Sequence, residues 1–244
     1  MANDESISDA AISRTLGGYA ALASLILEDP RGWLGTDDDH DHDRALPGRV
    51  LHRAKDLLTG RSHPGTPDWD AQPVDERCEW WVDRIQAVAA PIAATPRVFG
   101  LAADRFPIQA AFGTAVAGLA VCAVAREHGI TDPARWVPLL GRVLFDRDLA
   151  RPAAKDVTPP EDDGTEPPGQ VGPVRRGTRA LWRLTQALWE LAGIFDERPR
   201  GAWAWRVLGK IPVIGLAGGV LDERGAIAVA ARETSALLAA DHTG

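Results

Sequence analysis

The feature that most constrains this chain is an apolar stretch of twenty residues, Phe106–Ala125, with the sequence FPIQAAFGTAVAGLAVCAVA. Gln109 and Thr114 are its only polar side chains, and at helical spacing apolar residues cover every side. A helix that is apolar all round either lies inside a globular fold or spans a membrane. Seven Ala and two Gly make it less hydrophobic than a Leu-rich span. The sequence therefore predicts a buried, central Ala/Gly-rich helix over 105–128, with a membrane span as the alternative.

Helical periodicity recurs on both sides of this stretch. A third helix is predicted over 74–95, and Thr131 is expected to cap a helix that runs to Phe145. The clearest pattern is a seam at 3-4-3-4 spacing, formed by Leu181, Leu184, Leu188, Leu191 and Phe195. No segment alternates apolar and polar residues long enough to indicate a strand. The predicted fold is all-α, a helical bundle of about eight or nine helices around the central helix.

A segment rich in proline and carboxylates divides the chain. Residues 150–173 contain six prolines, and the formal charge between Lys155 and Glu166 is −4. Such a composition is typical of a disordered linker. The predicted organisation is an N-terminal helical part over 1–149, a disordered linker over 150–173, and a C-terminal helical part over 174–244 that packs on the first.

Composition excludes some functional classes. The net charge of −7 and the pI of about 5.4 argue against a general nucleic-acid binder. The two cysteines, Cys78 and Cys122, lie inside apolar helical patterns, which indicates buried, reduced thiols rather than a disulfide scaffold. The first residues are acidic and do not resemble a secretion signal, so a cytoplasmic location is expected.

Catalytic motifs are missing from the sequence. It contains no nucleophile elbow, no phosphate-binding loop and no dinucleotide fingerprint, and no cofactor is predicted. An acidic loop over 35–46 holds adjacent metal-ligand types, among them Asp39, His40 and His42. Their immediate succession matches no known ligand spacing, so a solvated loop with weak metal affinity is predicted. A metal-dependent hydrolase that uses these three residues is the alternative.

The C-terminal part carries the opposite charge to the rest of the chain. Residues 173–210 hold eight basic and three acidic residues, net +5, so the remainder of the chain carries −12. Tryptophans accompany the arginines, as at membrane interfaces, where indoles lie at headgroup depth and guanidinium groups meet anionic lipid. The candidate membrane or partner surface consists of Arg176, Arg179, Arg183, Trp182, Trp189, Trp203 and Trp205. The alternative is that the leucine seam packs on the central helix, the arginines face water and the tryptophans fill the core.

Three stretches together resemble the EcsC family. They are the central helix, the restart EHGITDPARWVPLLGRVL that follows it, and the Gly-rich turn KIPVIGLAGG over 210–219. The resemblance covers residues 100–148 and 206–240. It implies an all-helical protein that is membrane-associated or accessory to a transporter, and it implies no catalytic residues.

These observations together predict a non-enzymatic intracellular interaction protein. It is expected to bind a protein partner or an anionic membrane surface, at the inner face of the membrane. A metal-dependent hydrolase and a structural homo-oligomer are the alternatives.

Overall fold

The computed structural model describes residues 9–30, 63–93, 106–162, 164, 175–196 and 223–241, and all statements below concern these ranges. Side chains are described for 9–30, 63–90, 111–162, 164, 177–189 and 225–240. Every regular element in these ranges is helical, which confirms the all-α prediction for this part of the chain. The α-helices are α1 (Asp9–Glu28), α2 (Pro67–Asp70), α3 (Val74–Ala93), α4 (Phe106–Glu127), α5 (Pro133–Phe145), α6 (Arg175–Asp196) and α7 (Glu223–Asp241).

Helix α4 contains the apolar stretch Phe106–Ala125. It packs against α1, α3, α5, α6 and α7, and every side chain from Thr114 to Ala125 is buried. The protein itself thus covers the faces that a membrane span would present to lipid. The predicted number of eight or nine helices, and the central place of this helix in the whole chain, remain predictions.

Small residues let neighbouring helices approach α4 closely. Tyr19 of α1 is fully buried, and its hydroxyl donates a hydrogen bond of 2.5 Å to the carbonyl oxygen of Ala115. A Cβ atom at Gly118 would lie only 2.7 Å from the same hydroxyl oxygen. The ring of Tyr19 therefore rests on α4 at a position where any side chain larger than that of glycine would displace it.

The connection from α4 to α5 follows its sequence signals, with one correction. Gly129 ends α4 with a positive φ of +83°, and the Ile130 N–H closes the helix on the Ala125 carbonyl oxygen at 2.9 Å. The N-cap of α5 is Asp132 rather than the predicted Thr131, since Asp132 accepts the Ala134 N–H at 2.9 Å. Pro133, which has no N–H to satisfy, then occupies the first helical position.

Two further local features concern α2 and the middle of α1. The prolines and the glycine of 61–73 predict a loop, but 67–70 form the short helix α2, whose Trp69 is buried. Helix α1 continues through Gly17 and Gly18, although glycine has a low helix propensity. A Cβ atom at Gly17 would lie 2.5 Å from the Asp156 carbonyl oxygen, so this glycine makes room for another segment of the chain.

Residues 150–162 are the described part of the predicted linker over 150–173, whose disorder remains a prediction and whose other residues, except Gly164, lie outside the described ranges. They include a 3-10 turn at Ala154–Asp156, and they lie against α1. The side chain of Arg151 forms an ion pair with Asp132 at the start of α5. Proline and carboxylates remove the apolar period of a helix, but they do not prevent an extended segment from packing on a helical surface. The division of the chain into two helical parts remains a prediction.

Among the helices of the described residues, α1 is the one that is long and apolar enough to cross a membrane. More than half of its apolar window is buried inside the protein, and the core helix of a soluble protein has the same properties. This feature therefore decides nothing about localisation.

The close approach of Tyr19 to α4 gives the first prediction. Gly118→Ala should lower the free energy of unfolding, because a cost of about 1–3 kcal/mol for overpacking exceeds a helix-propensity gain of about 1 kcal/mol. Gly113→Ala is the matched control in the same helix, since a Cβ atom there meets nothing within 4 Å. It should stabilise the protein by up to about 1 kcal/mol. Urea denaturation measures both, and equal stabilisation by the two variants would contradict the described packing.

Candidate functional site

Helix α6 places its apolar seam in the core. Leu181, Leu184 and Leu188 are all buried, and the helix packs against α4 and α1. This packing agrees with one part of the alternative interpretation of the sequence, in which the leucine seam packs on the central helix. Leu191 and Phe195 continue the seam in the sequence, but their side chains lie outside the described residues.

The opposite side of α6 carries cationic and aromatic side chains at the surface; Arg179, Trp182, Arg183 and Trp189 are called the outer face below. The side chains of Arg179 and Arg183 are 48% and 28% exposed. Trp189 is 37% exposed, which is high for the largest apolar side chain. Trp182, seven residues earlier, is half-buried, and its Nε1 atom is buried, so of these two indoles only that of Trp189 is well exposed.

An aspartate from the segment before α6 reaches this outer face. The Asp162 Oδ2 atom lies 3.5 Å from Nη2 of Arg179 and 3.7 Å from Nη1 of Arg183. Nη2 of Arg183 also donates to the Pro160 carbonyl oxygen at 3.5 Å. The second oxygen of Asp162, Oδ1, accepts the Gly164 N–H at 3.1 Å and so holds a tight local turn. The two arginines therefore already contact an anion that the chain itself supplies.

The remaining predicted residues of this surface lie partly or wholly outside the described residues. Arg176 belongs to α6, but its side chain is not among those described. Trp203 and Trp205 lie outside the described ranges, as do the candidate metal ligands Asp39, His40 and His42. Among the described residues, no group of three or more His, Cys, Asp or Glu side chains is arranged to hold a metal ion.

A second polar cluster, which sequence reasoning missed, joins the end of α4 to α3. The Glu127 side chain is only 6% exposed, and its Oε2 atom pairs with Nη1 of Arg77 at 3.1 Å. Its Oε1 atom accepts the Trp81 Nε1–H at 2.8 Å. Arg77 also donates to the Glu127 carbonyl oxygen at 3.4 Å, where the negative end of the α4 dipole favours a cation. This carboxylate has both oxygens engaged, so the cluster fastens α3 to α4.

Three tryptophans extend from this cluster along α3 and α2. The ring centroids of Trp69 and Trp80 lie 5.1 Å apart in an edge-on arrangement, and those of Trp80 and Trp81 lie at the same distance. The Arg84 guanidinium lies 4.4 Å from the centroid of the Trp80 ring. Trp80 of α3 therefore contacts α2. Aromatic and cation–π contacts of this kind stabilise packing.

The two thiols are unsuited to nucleophilic chemistry. Cys78 and Cys122 are both free and buried. Burial is the main cause that raises the pKa of Cys78 to about 12, with the carboxylates of Glu127 and Asp75 as further causes. Burial also raises the pKa of Cys122 far above its ordinary value. Both side chains therefore remain neutral thiols near pH 7, whereas the nucleophile would be the thiolate.

Comparisons with protein-family models, with curated proteins and with solved structures give no match to this chain.

Removal of the Glu127 carboxylate gives the second prediction. Glu127→Ala should lower the free energy of unfolding by about 3 kcal/mol, because it leaves the Arg77 charge without its carboxylate and the Trp81 N–H without its acceptor. Asp148→Ala is the control, since Asp148 pairs with Arg142 at 3.1 Å in an exposed position and should cost less than about 1 kcal/mol. Chemical denaturation of both variants measures the difference. Similar costs for the two would show that Glu127 does not fasten α3 to α4.

Proposed function

We propose that this chain is a non-enzymatic helical interaction protein that binds an anionic membrane surface reversibly, at the cytoplasmic side, through the outer face of α6. One observation carries the proposal: Trp189 and Arg179 are exposed on a helix whose leucine seam is already buried. Packing of the seam therefore accounts for the leucines of this helix and leaves its exposed tryptophan and arginines without a role in the core.

The chemistry of the outer face suits a lipid headgroup layer. Indole rings lie favourably at headgroup depth, and guanidinium groups form bidentate contacts with phosphate. Each basic group near an anionic leaflet contributes about 1 kcal/mol, so a few arginines give reversible rather than permanent attachment. A surface contact of this kind requires no helix to cross the bilayer.

Sequence features extend the same proposal beyond the described side chains. Arg176 precedes Arg179 by three residues, so helical geometry places the two near each other on α6. Trp203 and Trp205 follow within the same basic segment of net charge +5. We include these three residues in the proposed surface on the basis of the sequence alone.

The resemblance to the EcsC family supports the same class of function as a proposal. It rests on the apolar helix, the restart after Gly129 and the late Gly-rich turn, and it implies a membrane-associated or transporter-accessory helical protein. We likewise propose a full bundle of eight or nine helices arranged around α4, because five of the described helices pack against it.

Two occupants other than a membrane would also fit the outer face of α6. A helical protein partner or a second copy of the chain would also cover exposed tryptophan and arginine side chains. Light scattering detects a homo-oligomer directly. Elemental analysis of the purified protein tests the metal-dependent hydrolase, which would require bound metal at Asp39, His40 and His42.

Binding to vesicles gives the third prediction. The protein should co-sediment at low salt with vesicles that contain phosphatidylglycerol, and only weakly with phosphatidylcholine alone. The triple variant Arg176→Glu, Arg179→Glu, Arg183→Glu should lower the partition coefficient by at least about 100-fold, at about 1 kcal/mol for each basic group lost.

The matched control reverses the same number of charges elsewhere. Arg14, Arg135 and Arg232 are exposed on α1, α5 and α7, so Arg14→Glu, Arg135→Glu, Arg232→Glu produces an identical net charge. This control should bind markedly better than the α6 triple variant. Equal binding by the two would show that α6 is not the contact surface, and absence of wild-type binding at low salt would overturn the membrane proposal.

A further inference from the structure

We propose that residues 147–162, called the strap, form an autoinhibitory cover whose acidic tip, residues 160–162, occupies the outer face of α6 until an anionic surface displaces it. This inference rests on the proposed function, because it concerns regulation of the same arginines. The tip supplies to Arg179 and Arg183 the kind of charge that a lipid phosphate would supply.

The base of the strap is fixed to the helical bundle. Arg147 pairs with Asp9 at 2.5 Å, and Arg151 pairs with the N-cap residue Asp132. The side chain of Leu149 is buried against Gly141, at which a Cβ atom would lie 2.7 Å from the leucine Cδ1 atom. These two ion pairs are exposed like those at the tip, so the buried leucine is the contact that keeps this end attached when the other end moves.

The middle of the strap lies on the two glycines of α1. Besides the close approach of Asp156 to Gly17, a Cβ atom at Gly18 would lie 3.4 Å from the Thr158 carbonyl oxygen and 3.7 Å from the Pro160 ring. The absence of side chains at these two positions lets the backbone of the strap run directly over α1. This path directs the next residues to α6, which packs beside α1.

The tip is held much less firmly than the base. Its contacts with α6 are the ion pairs of Asp162 and the Pro160 carbonyl contact, at 3.5–3.7 Å, and the Asp162 side chain is 41% exposed. Exposed ion pairs of this kind stabilise a protein little, because water and salt screen them. A surface that offers many phosphates to the same guanidinium groups would therefore compete successfully with one aspartate. Weak contact at the tip and firm contact at the base are the properties of a displaceable cover.

Asp162→Asn tests the cover with little change of structure. The variant removes the charge that faces the arginines, and its amide oxygen can still accept the Gly164 N–H. Glu161→Gln is the control, since Glu161 is the exposed neighbour and the change of net charge is identical. Affinity for phosphatidylglycerol vesicles should increase about threefold to tenfold for Asp162→Asn. It should change by less than twofold for Glu161→Gln.

Proteolysis provides a second measurement that does not depend on affinity. A protease that cleaves after glutamate must draw an extended segment around Glu161 into its active site, so it requires a released tip. Cleavage at Glu161 should be slow in the wild type without vesicles. It should be severalfold faster in Asp162→Asn without vesicles, and faster in the wild type when phosphatidylglycerol vesicles are added.

The outcomes separate this inference from the proposed function. If binding requires the α6 arginines but Asp162→Asn and Glu161→Gln increase it equally, the cover is wrong and the binding surface stands. If cleavage at Glu161 is equally fast in Asp162→Asn and in the wild type, with and without vesicles, the cover is also wrong. If the wild type does not bind vesicles, or the α6 triple variant binds like its control, the proposed function fails and the cover fails with it.

Discussion

The structure depends on the close packing of other helices around α4. Because this helix consists mainly of Ala, Gly and Val, neighbouring backbones approach it closely and the contacts are made with little free volume. Each small side chain contributes little apolar area, so the large buried side chains of this core come from the surrounding helices, among them Tyr19, Trp81 and Trp136. Tyr19, whose hydroxyl donates to the carbonyl oxygen of Ala115, shows how directly α1 is tied to this surface.

That packing also determines which residues remain available for function. Helix α6 uses Leu181, Leu184 and Leu188 against the core, so its remaining sides face outward or toward the strap. The arginines and tryptophans on those sides are not needed to hold the helix in place. Because Asp162 pairs with Arg179 and Arg183, the same fold that exposes a cationic surface also brings an acidic segment of the chain to it. Packing and regulation are thus consequences of one arrangement of helices.

Periodicity and capping allowed much of this arrangement to be predicted from the sequence. The seam of α6 has a spacing that fits a helix, and the apolar stretch of α4 is far longer than an ordinary strand. Gly129, a residue type that commonly ends helices, ends α4. The cap of α5 was misplaced by one residue because Thr131 and Asp132 are both good N-cap residues. Only the hydrogen bond from the Ala134 N–H distinguishes between them.

Features that depend on contacts distant in the sequence could not be predicted in the same way. Glu127 meets Arg77 across 50 residues, and no local pattern marks either as a partner of the other. The strap has no apolar period because of its prolines and carboxylates, so its contact with α1 could not be predicted from the sequence. Its place over Gly17 depends on the absence of a side chain on another helix. The sequence shows an acidic run before α6 and a basic run within α6. Only the fold shows that opposite charges from the two runs meet, where Asp162 contacts Arg179 and Arg183.

The central claim is that the outer face of α6 enters the headgroup layer of an anionic membrane. The most direct measurement is the depth of a nitroxide label on Trp189→Cys, compared with Arg135→Cys on the exposed side of α5, in phosphatidylglycerol vesicles. The native Cys78 and Cys122 are buried, so the label should attach selectively to the introduced thiol. The account predicts high oxygen and low nickel-chelate accessibility at residue 189 and an aqueous signal at residue 135. An aqueous signal at both positions would contradict it.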